Sequence, residues 1–181
     1  VNSIHGTTIL GVRKDGIVAM GSDGQVTVGD TIMKANAKKI QPLREGEVLA
    51  GFAGSVADAL TLFTMFEEQI NKYPKNISKA VIEFAKQWRK DKYLRRLEAL
   101  LGVMSLDESF ILSGSGEVIR PDDGLIGIGS GGGYAISAAR ALILHSSLGA
   151  PEIVKTSIKL ASDICVYTND YISVEVIENV K

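Results

Sequence analysis

The chain has 181 residues, 45% hydrophobic and 23% charged, which suits one globular domain with a sizeable core and is short for two. Lysine and arginine total 20 against 21 acidic residues, so the formal charge of -1 gives no electrostatic case for binding nucleic acid. No apolar run approaches the roughly 18 residues of a membrane-spanning helix, and Cys165, the single cysteine, excludes an intrachain disulfide and points to a reducing compartment.

Residues 1–6 form a short extension that does not read as a signal peptide. Thr7 to Val12 and Gly16 to Met20 are strand-like and meet across Asp15-Gly16, so a hairpin opens the domain. Gly21-Ser22-Asp23-Gly24 predicts a tight polar bend before a strand at Gln25 to Val28. A basic segment, Lys34 to Ile40, leads to a turn at Arg44-Glu45-Gly46, and Val48 to Phe52 reads as a buried strand. The spacing of Ala59, Leu60, Phe63, Phe66 and Ile70 predicts a helix over Ser55 to Tyr73. Ser78 is the expected cap of a second helix, with Val81, Phe84, Ala85 and Trp88 on one face and Leu94, Leu97 and Leu101 continuing it. The basic stretch Arg89 to Arg96 then reads as a solvated helix face.

Strands are expected at Leu100 to Met104, Phe110 to Ser113, Val118 to Ile119 and Leu125 to Ile128. A glycine-rich bend at 129–133 leads to a third helix through Ala138, Leu142 and Leu144. A fourth follows Pro151 through Val154, Ile158, Ala161 and Ile164. Cys165 to Tyr167 and Ile172 to Ile177 complete the strands, with Cys165 expected to be a buried small hydrophobe. Strands and helices come in blocks rather than alternating singly. Two packed sheets with helices outside accommodate that order better than a doubly wound parallel sheet.

Chemistry-bearing residues are sparse. His5 and His145 are too few for a zinc site. The run at 129–134, Gly-Ser-Gly-Gly-Gly-Tyr, lacks both the lysine-serine/threonine ending of a Walker loop and the dinucleotide GxGxxG spacing. Motif content is more specific. Gly6-Thr7-Thr8-Ile9, Gly21-Ser22-Asp23-Gly24-Gln25-Val26-Thr27, Met33-Lys34, Lys38-Lys39, Leu49-Ala50-Gly51-Phe52-Ala53-Gly54, Leu97-Glu98-Ala99-Leu100, Ile128-Gly129-Ser130-Gly131-Gly132 and Ile164-Cys165-Val166-Tyr167-Thr168-Asn169 occur in one order. Together they resemble the HslV (ClpQ) family, bacterial relatives of the proteasome β-subunit, over essentially the whole chain from Thr7.

The resemblance implies an α+β, four-layer α-β-β-α sandwich, the N-terminal nucleophile hydrolase fold, as one peptidase domain over residues 7–181. It also implies two stacked hexameric rings, fed with unfolded protein by the hexameric AAA+ unfoldase HslU (ClpY). ATP would be used by that partner, and the peptidase chemistry needs no cofactor. The cytoplasm is implied for a bacterial member, the mitochondrion for a eukaryotic one. Thr7 matches the nucleophile, Lys39 the active-site lysine, Asp23 the aspartate that holds it, Gly51 the oxyanion donor and Ser130 a serine near the nucleophile. Ser162, Cys165 and Thr168 match carbonyl ligands of a structural sodium ion.

These roles make physical sense. A threonine hydroxyl needs a base close by. Once Thr7 is the chain terminus, its own α-amine, with a reference pKa of about 7.7–8.0, can be that base. While residues 1–6 are attached, the nitrogen is an amide and cannot accept the proton. The Lys39 ammonium would favour proton loss from the hydroxyl. Asp23 also suits an Asx turn before Gly24, and the two roles are compatible. Two alternatives stand beside this reading: Ser3 as an exposed terminal nucleophile, and a non-catalytic ring subunit whose retained extension masks the amine.

Overall fold

The structure, a computed structural model, describes residues 4–54 and 56–179. β1 (Ile4–His5) precedes the predicted hairpin of β2 (Thr8–Lys14) and β3 (Ile17–Ser22), which turns on Asp15 and Gly16, both at positive φ. β4 (Val26–Val28) and β5 (Thr31–Lys34) follow, then β6 (Ile40–Leu43), β7 (Val48–Ala53), α1 (Val56–Lys72) and α2 (Ile77–Lys90). The second half holds β8 (Leu100–Met104), β9 (Ser109–Ser113), β10 (Val118–Ile119), β11 (Ile126–Gly129), α3 (Gly132–His145), α4 (Ala150–Ser162) and β12 (Ser173–Glu178). β1 and β5 were not anticipated from the sequence, and Ser3 and Ser55 lie outside the described residues.

Alternation along the central strands sets the layering. In β7, Val48, Ala50 and Phe52 point toward α1 and α2, whereas Leu49 and Ala53 point into the space between two sheets. In β2, Leu10 and Val12 pack under α3 and α4 while Ile9 faces inward. Both faces of these strands are therefore buried, which is why they read as continuous apolar runs. The five-stranded sheet has the order β10-β9-β8-β7-β6 and the four-stranded sheet β11-β2-β3-β12, with antiparallel pairing throughout. A small third sheet, β1-β4-β5, lies beside the hairpin. The result is the expected α-β-β-α sandwich.

Glycines set the sheet-to-sheet distance. A Cβ at Gly11 would lie 2.3 Å from Met104 Sδ, and one at Gly102 would lie 2.9 Å from Ile126 Cγ2. On the outer side, Phe66, Phe84 and Trp88 form edge and tilted ring contacts in the α1–α2 core, and Trp88 Nε1 donates to the Leu94 carbonyl.

Four local expectations are corrected. Asn76, not Ser78, caps α2, its side chain accepting from Lys79 N at 2.9 Å. The α2 face does not continue through Leu94, Leu97 and Leu101, because the Asp91 carboxylate accepts from Tyr93 N and Leu94 N and folds the chain into a short 3-10 turn. In α3 the buried positions are Gly132, Ala135 and Ala139, with Leu144 76% exposed. Finally, Cys165 to Tyr167 is a turn rather than a strand. Cys165 is buried as expected, but Ile164 and Val166 face outward.

Candidate active site

Thr7 lies one residue before β2, where the chain enters the hairpin. It is 7% exposed, and its Oγ donates to the Gly6 carbonyl at 2.6 Å. The bend after β3 brings Asp23 alongside. This carboxylate is fully buried. Its Oδ1 accepts from Thr8 N at 2.8 Å and from Lys39 Nζ at 2.9 Å, and its Oδ2 accepts from Gln25 N at 3.0 Å. The last contact closes an Asx turn, while Oδ1 of the same carboxylate bonds Lys39.

Lys39 enters from the segment before β6. Its three donor hydrogens match three acceptors: Gly6 O at 2.7 Å, Asp23 Oδ1 at 2.9 Å and Gln25 O at 2.6 Å. Burial pushes its pKa below the ordinary 10.5, opposed by the charge and hydrogen bond of Asp23. Lys34 and Lys38, the competing lysines, are exposed. Thr7 Oγ and Lys39 Nζ thus meet at the Gly6 carbonyl, with Asp23 holding Lys39 and Thr8 N.

Ser130 is exposed and lines a cleft of about 170 Å³ together with Gly6, Thr7, Gly54 and Gly129. A narrower cleft on the other side of Thr7 is lined by Lys39, Phe52, Gly54, Ala59 and Phe63. Gly51 lines neither. It sits mid-strand in β7, paired with Ile40 on one side and Gly102 on the other. A Cβ there would lie 2.9 Å from both Ile40 Cδ1 and Ile9 Cγ2, so Gly51 belongs to the inter-sheet core. Gly54, just past the strand end, is the one of these two glycines that lines both clefts beside Thr7. A larger cavity, about 700 Å³, lies by the Arg44–Glu47 turn and Glu178, at the far end of β7 from this chemistry.

The glycine run is shaped by close packing. Gly129 has φ +85°, and a Cβ on it would lie 2.0 Å from the Thr7 carbonyl oxygen. A Cβ on Gly131 would lie 2.2 Å from Thr8 Oγ1. Thr8 Oγ1 in turn bonds Thr168 Oγ1 at 2.6 Å. Of the three residues matched to sodium ligation, Ser162 ends α4, the Cys165 carbonyl accepts from Thr168 N at 3.0 Å, and Thr168 turns back toward β2. Gln25 and Asn169 also enter the site. Both fall in motifs noted in the sequence, but spacing alone assigned them no task.

A nucleophile candidate at the head of an inner strand, in four layers of this order, defines a proteasome-type N-terminal nucleophile hydrolase fold. A family model described as proteasome subunit matches residues 4–177. The chain is 43% identical to eukaryotic HslV from Trypanosoma brucei, with a TM-score of 0.89, covering 95% of this chain and 99% of that one. Thiobacillus denitrificans BPH shares the fold at 18% identity, with a TM-score of 0.74 over 94% of this chain and 97% of that one. A second structure of that protein, in complex with epoxomicin, gives 19% identity and a TM-score of 0.75, covering 96% of this chain and 100% of that one. The chain belongs to the proteasome family, as an HslV-type, proteasome-β-like peptidase subunit.

Proposed function

We propose that this chain is the threonine-type endopeptidase of an ATP-dependent protease and that Thr7 is its nucleophile once residues 1–6 are removed. The observation that carries this is convergence on one carbonyl: Thr7 Oγ at 2.6 Å and Lys39 Nζ at 2.7 Å from Gly6 O. Thr7 Oγ attacks the Gly6 carbonyl carbon, and the Gly6–Thr7 C–N bond breaks. An ester then joins Gly6 to Oγ, and the Thr7 nitrogen takes up the proton given up by Oγ and leaves as a free amine. Water hydrolyses that ester, releasing residues 1–6 and restoring the hydroxyl.

On a peptide substrate the same hydroxyl attacks while the α-amine takes its proton and passes it to the leaving nitrogen. The main-chain N–H of Gly54 supports the oxyanion in place of Gly51, and Ser130 joins the hydrogen-bond network beside Thr7. Asp23 holds Lys39, whose ammonium favours ionisation of the hydroxyl. Oxygen donors suit a hard cation, so the carbonyls of Ser162, Cys165 and Thr168 would hold a structural sodium ion outside the reaction. We assign unfolding of substrates to a hexameric AAA+ partner of the HslU (ClpY) type, which consumes the ATP, and the working form to two stacked hexameric rings. Exposed apolar side chains at Met33, Leu60 and Val166 support assembly with further copies. Cytoplasmic residence, or mitochondrial in a eukaryote, goes with this reading.

Pairing of Ile4 and His5 with β4 favours a second reading, a ring subunit that keeps its extension and is inactive. Intact mass after incubation with the unfoldase and ATP separates the two. A species lighter by residues 1–6, absent from Thr7→Ala, supports the peptidase. A mass that stays unchanged in the parent supports the scaffold.

A further inference from the structure

Lys39 and Asp23 come from different segments, so their contact depends on how the 23–25 bend is held against residues 35–39. The two run unusually close. A Cβ on Gly24 would lie 2.3 Å from the Ala35 carbonyl oxygen, and Ala37 N donates to Gly24 O at 2.9 Å. One side chain touches both segments at once. Asn169, in the loop between α4 and β12, accepts from Gly24 N through Oδ1 at 3.0 Å and donates through Nδ2 to Ala35 O at 2.8 Å. Its own backbone N–H donates to Asp23 Oδ2 at 3.4 Å, and its Oδ1 also accepts from Tyr171 N at 3.3 Å.

We propose that Asn169 is a positioning residue for the peptidase reaction: its amide clips the Asp23 bend to the Lys39 segment and so sets where the Lys39 ammonium stands beside Thr7. The inference rests on the threonine-peptidase reading above. Only a primary amide on this stem offers an acceptor to Gly24 and a donor to Ala35 together. A carboxylate of the same shape could accept from Gly24 N, but it would face the Ala35 carbonyl without a proton and add a negative charge near Asp23. An aliphatic side chain would leave both segments unclipped. Neither change removes a group that touches substrate, so the loss should fall on turnover rather than on binding.

The test compares Asn169→Ala and Asn169→Asp with the parent and with Asp170→Ala, the next residue, whose carboxylate lies 3.8 Å from Lys159 Nζ on the surface. With a fluorogenic peptidyl amide, the unfoldase and ATP, kcat should fall about 10- to 100-fold in both Asn169 variants, since small misplacement of catalytic groups has effects of that size. KM should stay within about twofold, and Asp170→Ala should match the parent. Where Asn169→Ala fails to assemble, Asn169→Gln, which keeps the amide but displaces it by one methylene, carries the same expectation.

The second readout needs no activity. In a Thr7→Ala background, exchange of the Ala37 N–H, whose acceptor is Gly24 rather than Asn169, should quicken about tenfold or more in Asn169→Ala, as expected when a local opening becomes easier. An unchanged kcat, a KM that rises while kcat holds, or unchanged Ala37 exchange would overturn the proposal. A Thr7→Ala chain that still cleaves peptide overturns the threonine reading instead, and the exchange measurement tells the two failures apart.

Discussion

Lys39 Nζ and Asp23 Oδ1 lie 2.9 Å apart, with the carboxylate wholly out of solvent and the lysine side chain 8% exposed. Such a pair is weak evidence for stability while intact, because both charges were taken out of water, but breaking it is expensive. Asp23 also holds Thr8 N and Gln25 N, so its charge cannot simply move away.

Lys39→Met should therefore act twice. Leaving the Asp23 carboxylate buried without its cation should lower stability by about 3–5 kcal/mol, and loss of the ammonium should reduce peptide turnover by about 100-fold or more. Chemical denaturation and kcat on the same preparations check both effects. Parent-like stability in Lys39→Met would show that Asp23 does not depend on this partner.

A pH dependence follows from the direction of the lysine's shift. Lys39 has a folded pKa below its ordinary 10.5, so between the two values the unfolded chain binds more protons than the folded one. Stability contributed by this group therefore rises with pH across that window and is at its lowest below the folded pKa. The stability gap between the parent and Lys39→Met should shift in the parent's favour as pH rises from below the lowered folded pKa toward 10.5. A gap that is flat with pH would sink the assignment.

Gly129→Ala and Gly133→Ala form a matched pair within one glycine run. At Gly129 the left-handed backbone alone costs about 1–2 kcal/mol for an L-residue. The new methyl must also displace the Thr7 carbonyl, so activity should be lost. At Gly133, in the first turn of α3, nothing lies within 4 Å of a Cβ. That change should leave activity intact and alter stability by at most about 1 kcal/mol, in the stabilising direction. Thermal denaturation at equal protein concentration, with peptide turnover, distinguishes them.

The α2 cap can be tested the same way. Asn76→Ala should cost about 1 kcal/mol, a fall in midpoint of about 2–4 °C for a chain of this size. Ser78→Ala removes only the contacts to Glu108 and Arg120 and should cost less. The reverse order would place the cap at Ser78 after all.

Two packed sheets with helices outside were legible in the sequence because they rest on local signals, whereas the Thr7–Asp23–Lys39 cluster was legible only through the motif resemblance. The local signals are apolar runs for two-sided strands, three- and four-residue spacing for α1, α2 and α4, and a polar bend closing on itself at Asp23. What was not legible depends on where the chain goes next. Leu94 and Leu97 keep helical spacing past Asp91, yet two hydrogen bonds to that carboxylate turn the chain. Ile164 keeps helical spacing past Ala161 and Val166 looks like a strand residue, yet both face outward, because apolar character alone does not say which side faces inward. Gly51 and Gly54 are both plausible close-approach glycines. Which one meets Thr7 depends on β7 ending at Ala53, so that Gly51 stays between the sheets and Gly54 emerges beside the nucleophile.

The strand at Ile4–His5 has a consequence for what surrounds the chain. It occupies the outer side of β4, pairing Ile4 with Val28 and His5 with Thr27, while β5 covers the other side. Cutting the chain after Gly6 would turn β4 from an interior strand into a rim, with a row of unclaimed main-chain donors and acceptors next to the newly freed amine. Open rims invite any extended segment that comes within reach. On the threonine-peptidase proposal the extension would be a dust cover for that rim, and the cut that exposes the base would also open a docking lane for the next extended chain.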